Sequence, residues 1–206
     1  MPNGYHAAKT DAHRFDASGE RMNRLASPGQ LRASMIRWAL FIVPSVMLLG
    51  FLSGQLGGTA QSQWFQSLAK PGIYPPPATF GIVWSILYAM MGFAFAIVCA
   101  AWGSTARRWA IVAFIVHLAV NLAWSPVFFG KQDIQLAFTV ILVLDVLAII
   151  TIMLFFRVRK LAGLLMLPYL AWIIFATALN WQFLQLNPGT DQAEAVEDGA
   201  AQSYEF

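Results

Sequence analysis

The sequence predicts an all-α membrane protein, a bundle of five transmembrane helices. Three observations point there. Of 206 residues, 58% are hydrophobic and only 11% charged, where a soluble domain carries about 25% charge. A chain this short cannot bury that much apolar surface within its own core. The apolar residues also fall into five runs long enough to cross a bilayer, which takes about 20 residues as helix.

The runs follow in order. Residues 1–34 are polar and mixed in charge, with Lys9, Arg14, Arg21, Arg24 and Arg32 set against Asp11, Asp16 and Glu20. They read as a disordered tail and lack the apolar core of a signal peptide. The first span is expected over 35–56, with Pro44, Gly50 and Gly54 inside it. The second covers 79–102, the third 108–129, the fourth 134–156, and the fifth 161–186 with Pro168 inside. Residues 187–206 form an acidic tail carrying Asp191, Glu194, Glu197, Asp198 and Glu205. No long-period repeat is visible, which counts against a transporter built from inverted repeats.

Charge sets the orientation. The N-terminal segment through Arg37 holds six Lys/Arg, the second connection holds Arg107 and Arg108, and the fourth holds Arg157, Arg159 and Lys160. That side carries eleven basic residues and the other only Lys70 and Lys131. Basic residues stay on the cytoplasmic side. The N-terminus is therefore expected inside and the C-terminus outside a bacterial inner membrane. The net charge of +3 reflects this asymmetry and gives no support to nucleic-acid binding. The single cysteine, Cys99, cannot form an intramolecular disulfide.

The first connection stands apart. At about 22 residues it is far longer than the others, and loops of this length are often functional. It carries Trp64, Leu68, Lys70 and Pro71, then Pro75, Pro76 and Pro77. The prolines stiffen the chain, so the segment reads as a semi-rigid lid over the outer end of the bundle. A plain interfacial linker, with Trp64 as a headgroup anchor, is the alternative.

Aromatic residues supply the functional signal: 8 Trp and 16 Phe. Trp38, Trp102, Trp109 and Trp181 lie near span ends, where tryptophan anchors in the interface. The others form stripes. Trp84 and Tyr88 share a face at i, i+4. Asn121, Trp124 and Phe128 share one on the third span, and Tyr169, Trp172, Ala176, Leu179 and Asn180 on the fifth. Trp172 lies well inside its span, where its indole N–H needs a partner. Aromatic walls with a few polar groups suit a large, flat, apolar ligand.

Two ionisable groups stand within the membrane, His117 and Asp145. Each is fourteen residues from Lys131, so an antiparallel hairpin brings them to similar depth. Such groups are costly and usually paired or functional; a His117–Asp145 contact is the expectation, and a structural polar contact or helix–helix interface with no role in chemistry is the alternative. No HExxH, CxxC, phosphate-loop or G-x-S-x-G pattern occurs, and a metal site is not expected.

At these residues the sequence resembles the TspO/MBR family, the tryptophan-rich sensory and translocator proteins also called the peripheral benzodiazepine receptor family. The matching stretches are Trp64, Leu68, Lys70 and Pro71; Pro75 and Pro76; and Phe80, Gly81, Trp84, Tyr88, Met91 and Gly92. Asn121, Trp124, Pro126 and Phe128 to Gly130 follow, then Pro168, Tyr169, Ala171 and Trp172, and Ala178 to Asn180. The resemblance implies a five-helix bundle, commonly a homodimer, with a pocket beneath the first loop. No cofactor is required; the implied ligands are tetrapyrroles such as protoporphyrin IX or a haem-like molecule, sterols, and isoquinoline or benzodiazepine drugs. Carried over by motif, ligand contacts are implied at Trp84, Tyr88, Asn121, Trp124, Trp172, Phe175 and Ala176; Trp64, Pro75 and Pro76 of the lid and Phe128 and Asn180 of the stripes are further ligand-binding candidates. Trp84 and Trp172 match tryptophans tied to light-dependent porphyrin breakdown, which makes them the candidate catalytic residues. Ile73 and Ala78 stand where the family often has Trp, and Trp181 replaces the Tyr of a sterol-recognition pattern. Three functions remain open: a ligand-binding sensor regulating tetrapyrrole metabolism or a stress response, a porphyrin-degrading activity, and porphyrin or lipid transport.

Overall fold

The computed structural model describes residues 28–56 and 60–189. The expected disorder of 1–27 and the acidic tail beyond 189 lie outside the described residues. Helix α1 is Pro28–Leu56, short helix α2 is Gln63–Ser67, α3 is Pro77–Cys99, α4 is Arg107–Ser125, α5 is Ile134–Val158 and α6 is Lys160–Leu186. Five of these are long and apolar enough to cross a membrane. The long helices satisfy their backbone groups internally, as hydrocarbon requires. A row of exposed residues that includes Leu40, Phe41, Ile82, Ile115, Val146 and Leu164 faces outward, where lipid covers it.

Several ends differ from expectation, each for a local reason. Residues 28–34, expected in the disordered tail, are already helical, with Pro28 as first residue. Proline suits that place, since its fixed φ is helical and its missing N–H would be unpaired there. The same holds at Pro77, where α3 starts ahead of the expected Thr79. Helix α3 stops at Cys99 rather than Trp102, because the Arg107 guanidinium donates to the Cys99 carbonyl from Nε at 3.1 Å and Nη2 at 2.8 Å. A cation on the last carbonyls closes a helix favourably. Between α5 and α6 only Arg159 leaves the helical region, with φ −153° and ψ 125°.

Proline also reshapes the end of α4. Pro126 has no N–H to donate to the carbonyl of Leu122, four residues earlier. The chain widens there into one π turn, Pro126–Gly130. The freed Leu122 carbonyl accepts instead from Ser53 Oγ on α1 at 2.6 Å. A sequence-local defect thus becomes a tie between two helices. Asp133 then caps α5, its carboxylate accepting from the Leu136 N–H at 2.6 Å.

Helix α1 packs chiefly on α3, α3 also on α6, α6 on α5 and α5 on α4. Small residues allow the close approaches. A Cβ on Gly92 of α3 would stand 2.9 Å from the Val43 Cα of α1. Ala94, Ala96, Ala110, Ala148 and Ala162 are buried nearby in the main core. Such residues let helices approach in lipid, where van der Waals contact replaces the hydrophobic drive. At this basic end Arg107 stacks on Trp102 at 4.2 Å and Arg108 on Trp109 at 5.1 Å. Both tryptophans are exposed, as interfacial anchors should be.

Candidate functional site

Towards the other end the helices separate around a cavity of about 790 Å³, within the 300–1,000 Å³ range of small-molecule sites. Every spanning helix contributes to its wall. Trp84 and Tyr88 come from α3, Asn121 and Trp124 from α4, Phe128 from the π turn, Leu144 from α5, and Trp172, Ala176 and Asn180 from α6. Met47, Gly50, Phe51 and Ser53 of α1 close the circle. Leu48 and Phe51 of α1, 57% and 62% exposed, and Gly81 and Ser85 of α3 also belong to the wall. The cavity is therefore open on its side between α1 and α3.

The aromatic walls are held by ring contacts and a few hydrogen bonds. Trp84 stacks on Tyr88 at 5.3 Å and meets the Tyr169 edge at 6.4 Å. Gly50 leaves room for this arrangement: a Cβ there would strike the Tyr88 ring. Trp124 stacks on Phe128 at 5.0 Å. Its Nε1 donates to Asn180 Oδ1 at 3.2 Å, and Asn180 Nδ2 donates to the Ile134 carbonyl at 3.3 Å. The Trp172 ring meets Phe80 edge-on at 5.8 Å and Phe175 at 5.4 Å. Its Nε1 is buried with no hydrogen-bond partner among the described residues, which costs about 1–3 kcal/mol unless an acceptor arrives.

The lid is a small fold of its own. Ser62 caps α2, accepting from the Phe65 N–H at 3.3 Å. Lys70 Nζ turns back and donates to the carbonyls of Phe65 at 2.5 Å and Leu68 at 2.9 Å. Partial desolvation lowers the Lys70 pKa, and burial raises that of Tyr74. Phe65 is buried against Phe128, Phe129, Phe183 and Tyr74, with ring centroids 5.3–6.2 Å apart. Asn187, past the end of α6, grips the lid twice: its Oδ1 accepts from the Ala69 N–H at 2.7 Å and its Nδ2 donates to the Ala69 carbonyl at 3.1 Å.

Of the residues singled out from sequence, Trp84, Tyr88, Asn121, Trp124, Phe128, Trp172, Ala176 and Asn180 line the cavity. Four do not. Trp64 packs its ring on Phe128 from outside the cavity, at 5.7 Å. Pro75 and Pro76 lead into α3, where Pro76 is the cap residue. Phe175 touches the Trp172 ring at 5.4 Å but is not part of the wall. Phe65, Tyr74, Phe80, Ser125, Phe183 and the whole α1 wall also line the cavity; of these, Phe80, one turn ahead of Trp84, already stood with Gly81 among the family-matching residues.

The expected His117–Asp145 contact does not form. His117 Nε2 lies 2.8 Å from the Tyr169 hydroxyl, while Asp145 Oδ2 accepts from Thr177 Oγ1 at 2.8 Å. Equal depth does not fix rotation about the helix axis. His117 turns to α6 in the bundle interior, and Asp145 to α6 at a half-buried position nearer the surface. Among the described residues no cluster of His, Cys, Asp and Glu could hold a metal ion.

The family model for the TspO/MBR family matches residues 41–186. The chain is 37% identical to a tryptophan-rich protein TspO of Chlorobaculum tepidum over 143 residues, covering 69% of this chain and 90% of that one. It is 35% identical to a tryptophan-rich sensory protein of Cereibacter sphaeroides, covering 65% and 82%. To the translocator protein of Ovis aries it is 34% identical, covering 68% and 84%.

Proposed function

The chain belongs to the TspO/MBR family and is an integral membrane protein, and we propose that it is a binding protein and sensor for tetrapyrroles such as protoporphyrin IX. Sterols and isoquinoline-type drugs are related apolar ligands that would take the same place. The reading carries a role in regulating tetrapyrrole metabolism or a stress response. One observation supports it above the others: Trp84, Trp124 and Trp172, from three different helices, bound one cavity. Their flat faces offer stacking surface worth about 0.5–1.5 kcal/mol per aromatic pair beyond area burial.

A second reading uses the same wall. Indole can donate an electron to a light-excited porphyrin, and Trp84 and Trp172 line the cavity together. Light-dependent porphyrin breakdown is the activity this suits, with molecular oxygen as oxidant. We further propose that the N-terminus lies inside a bacterial inner membrane, on the strength of eleven basic residues against two, and that the protein forms a homodimer, as the family resemblance implies.

Titration of the purified protein with protoporphyrin IX, read by quenching of tryptophan fluorescence, tests the binding. Saturable quenching is expected, weakened about tenfold in Trp172→Ala; absence of saturable quenching in the unaltered protein would sink it. Illumination of the complex separates the two readings. Bleaching that vanishes in Trp84→Phe or Trp172→Phe favours breakdown, and a stable spectrum favours sensing.

A further inference from the structure

Four hydrogen-bonding side chains run in a row from the cavity wall into the solid part of the bundle. The Tyr88 hydroxyl on α3 donates to Asn121 Oδ1 on α4 at 2.8 Å. Asn121 Nδ2 donates to the Tyr169 hydroxyl on α6 at 3.1 Å. That hydroxyl lies 2.8 Å from His117 Nε2, one turn before Asn121 on α4. Tyr88 and Asn121 line the cavity. Tyr169 and His117 are wholly buried, at 0% exposure, and their polar atoms connect to the cavity through this row.

The row has a direction. Tyr169 has one hydroxyl proton, and its oxygen already accepts from Asn121, so the proton is free for His117 Nε2. An imidazole nitrogen that accepts carries no proton, which places the ring proton on Nδ1. Nδ1 has no partner among the described residues, so this tautomer leaves its N–H unpaired; the direction of the row rests on the Asn121 amide, whose Oδ1 faces Tyr88 and whose Nδ2 faces Tyr169. At the opposite end the Tyr88 proton is committed to Asn121. Towards the cavity the Tyr88 oxygen can then offer only lone pairs.

We infer that His117 is a positioning residue that fixes the direction of this row, so that the cavity presents a hydrogen-bond acceptor at Tyr88 and favours apolar ligands carrying a donor over isosteres carrying only an acceptor. The inference rests on the cavity being the ligand site. Removing the histidine shows the logic. Without Nε2 the Tyr169 proton has no acceptor, and a buried donor left unpaired is destabilising. Turning over the Asn121 amide removes that cost: Tyr169 then donates to Oδ1, Nδ2 donates to the Tyr88 oxygen, and the Tyr88 proton is released towards the cavity. The wall changes from acceptor to donor without any change in its shape.

A matched pair of flat probes reads this directly. The full-length protein in lipid nanodiscs is titrated with 1-hydroxypyrene and with 1-methoxypyrene, by energy transfer from tryptophan, with protoporphyrin IX as a third ligand. The hydroxy probe is expected to bind about two- to tenfold more tightly to the unaltered protein, the range one net hydrogen bond supplies. His117→Leu should abolish or invert that ratio. His117→Gln, whose amide oxygen can accept from Tyr169, should restore it. A role in packing alone would weaken both probes together and leave the ratio unmoved, which overturns the inference. The ¹⁵N spectrum of the imidazole in the unaltered protein is an independent arm that needs no variant to fold: an Nδ1–H tautomer supports the inference and an Nε2–H tautomer overturns it. Protoporphyrin IX binding without discrimination between the pyrenes defeats this inference alone. Failure of all three ligands to bind defeats the cavity reading as well.

Discussion

At its basic end the bundle is solid, and at its other end it is hollow, although the same helices build both. The difference can be read on one helix pair. Near Gly92, α1 and α3 approach until a single Cβ would meet the Val43 backbone. Three turns along α1 from Val43, a Cβ on Gly54 would meet nothing within 4 Å. Small side chains fill the first region with backbone; large rings, stacked or meeting edge-on, hold the second open. Rigid rings cannot collapse onto one another as flexible aliphatic side chains can, and interiors resist rearrangement once packed. The contrast teaches that the cavity follows from the choice of side chains, while the fold on either side of it is continuous.

The largest expected effect tests this contrast with one substitution made twice. Gly92→Leu forces the Val43 backbone away, and overpacking of this kind costs about 3 kcal/mol. The melting temperature in detergent should fall sharply, or the protein should fail to accumulate. Gly54→Leu on the hollow side should change stability by less than about 0.5 kcal/mol. Equal losses at the two positions would mean that α1 and α3 are closed along their whole length.

What the sequence could reveal follows the same division. The five spans were legible because hydropathy registers every residue of a 20-residue run, and caps blurred only their ends. Trp84, Tyr88, Asn121, Trp124 and Trp172 were legible as stripes because helical periodicity places them on one face. The α1 wall was not, because Met47, Phe51 and Ser53 look like any lipid-facing stretch until a partner helix splays away. His117 shows the deepest limit. Its depth could be read by counting from the turn at Lys131, but its partner Tyr169 depends on the rotation of α4 against α6. Pairwise depth matching chose Asp145 instead.

The lid gives an intermediate effect. It is joined to the hollow end through the Asn187 clamp on Ala69. Asn187→Ala removes two side-chain hydrogen bonds to the lid and leaves the Ala69 backbone to find water, a loss of about 1–2 kcal/mol. The expected outcome is a faster ligand off-rate, roughly tenfold by that energy, with the melting temperature moving little. Stopped-flow recovery of tryptophan fluorescence measures it. An unchanged off-rate would show that ligands leave only through the open side between α1 and α3, and that the lid serves as a fixed roof.

The smallest effect is expected at Asp145, which belongs to neither region. Its carboxylate lies between α5 and α6, and no atom of it lines the cavity. Thr177 has one hydroxyl proton and two acceptors in reach, Asp145 Oδ2 at 2.8 Å and the Ile173 carbonyl at 2.9 Å. An amide at position 145 would bring a donor of its own: Asn could donate to Thr177 Oγ1 while Thr177 donates to Ile173. It would also remove an ionisable group from the membrane, where such groups are costly. Asp145→Asn should therefore leave protoporphyrin IX affinity within about twofold, and stability equal or raised by up to about 1 kcal/mol. A clear loss of affinity on this substitution would extend the functional site into the seam between α5 and α6. It would also return to Asp145 the functional weight that its place in the membrane first suggested and its geometry withholds.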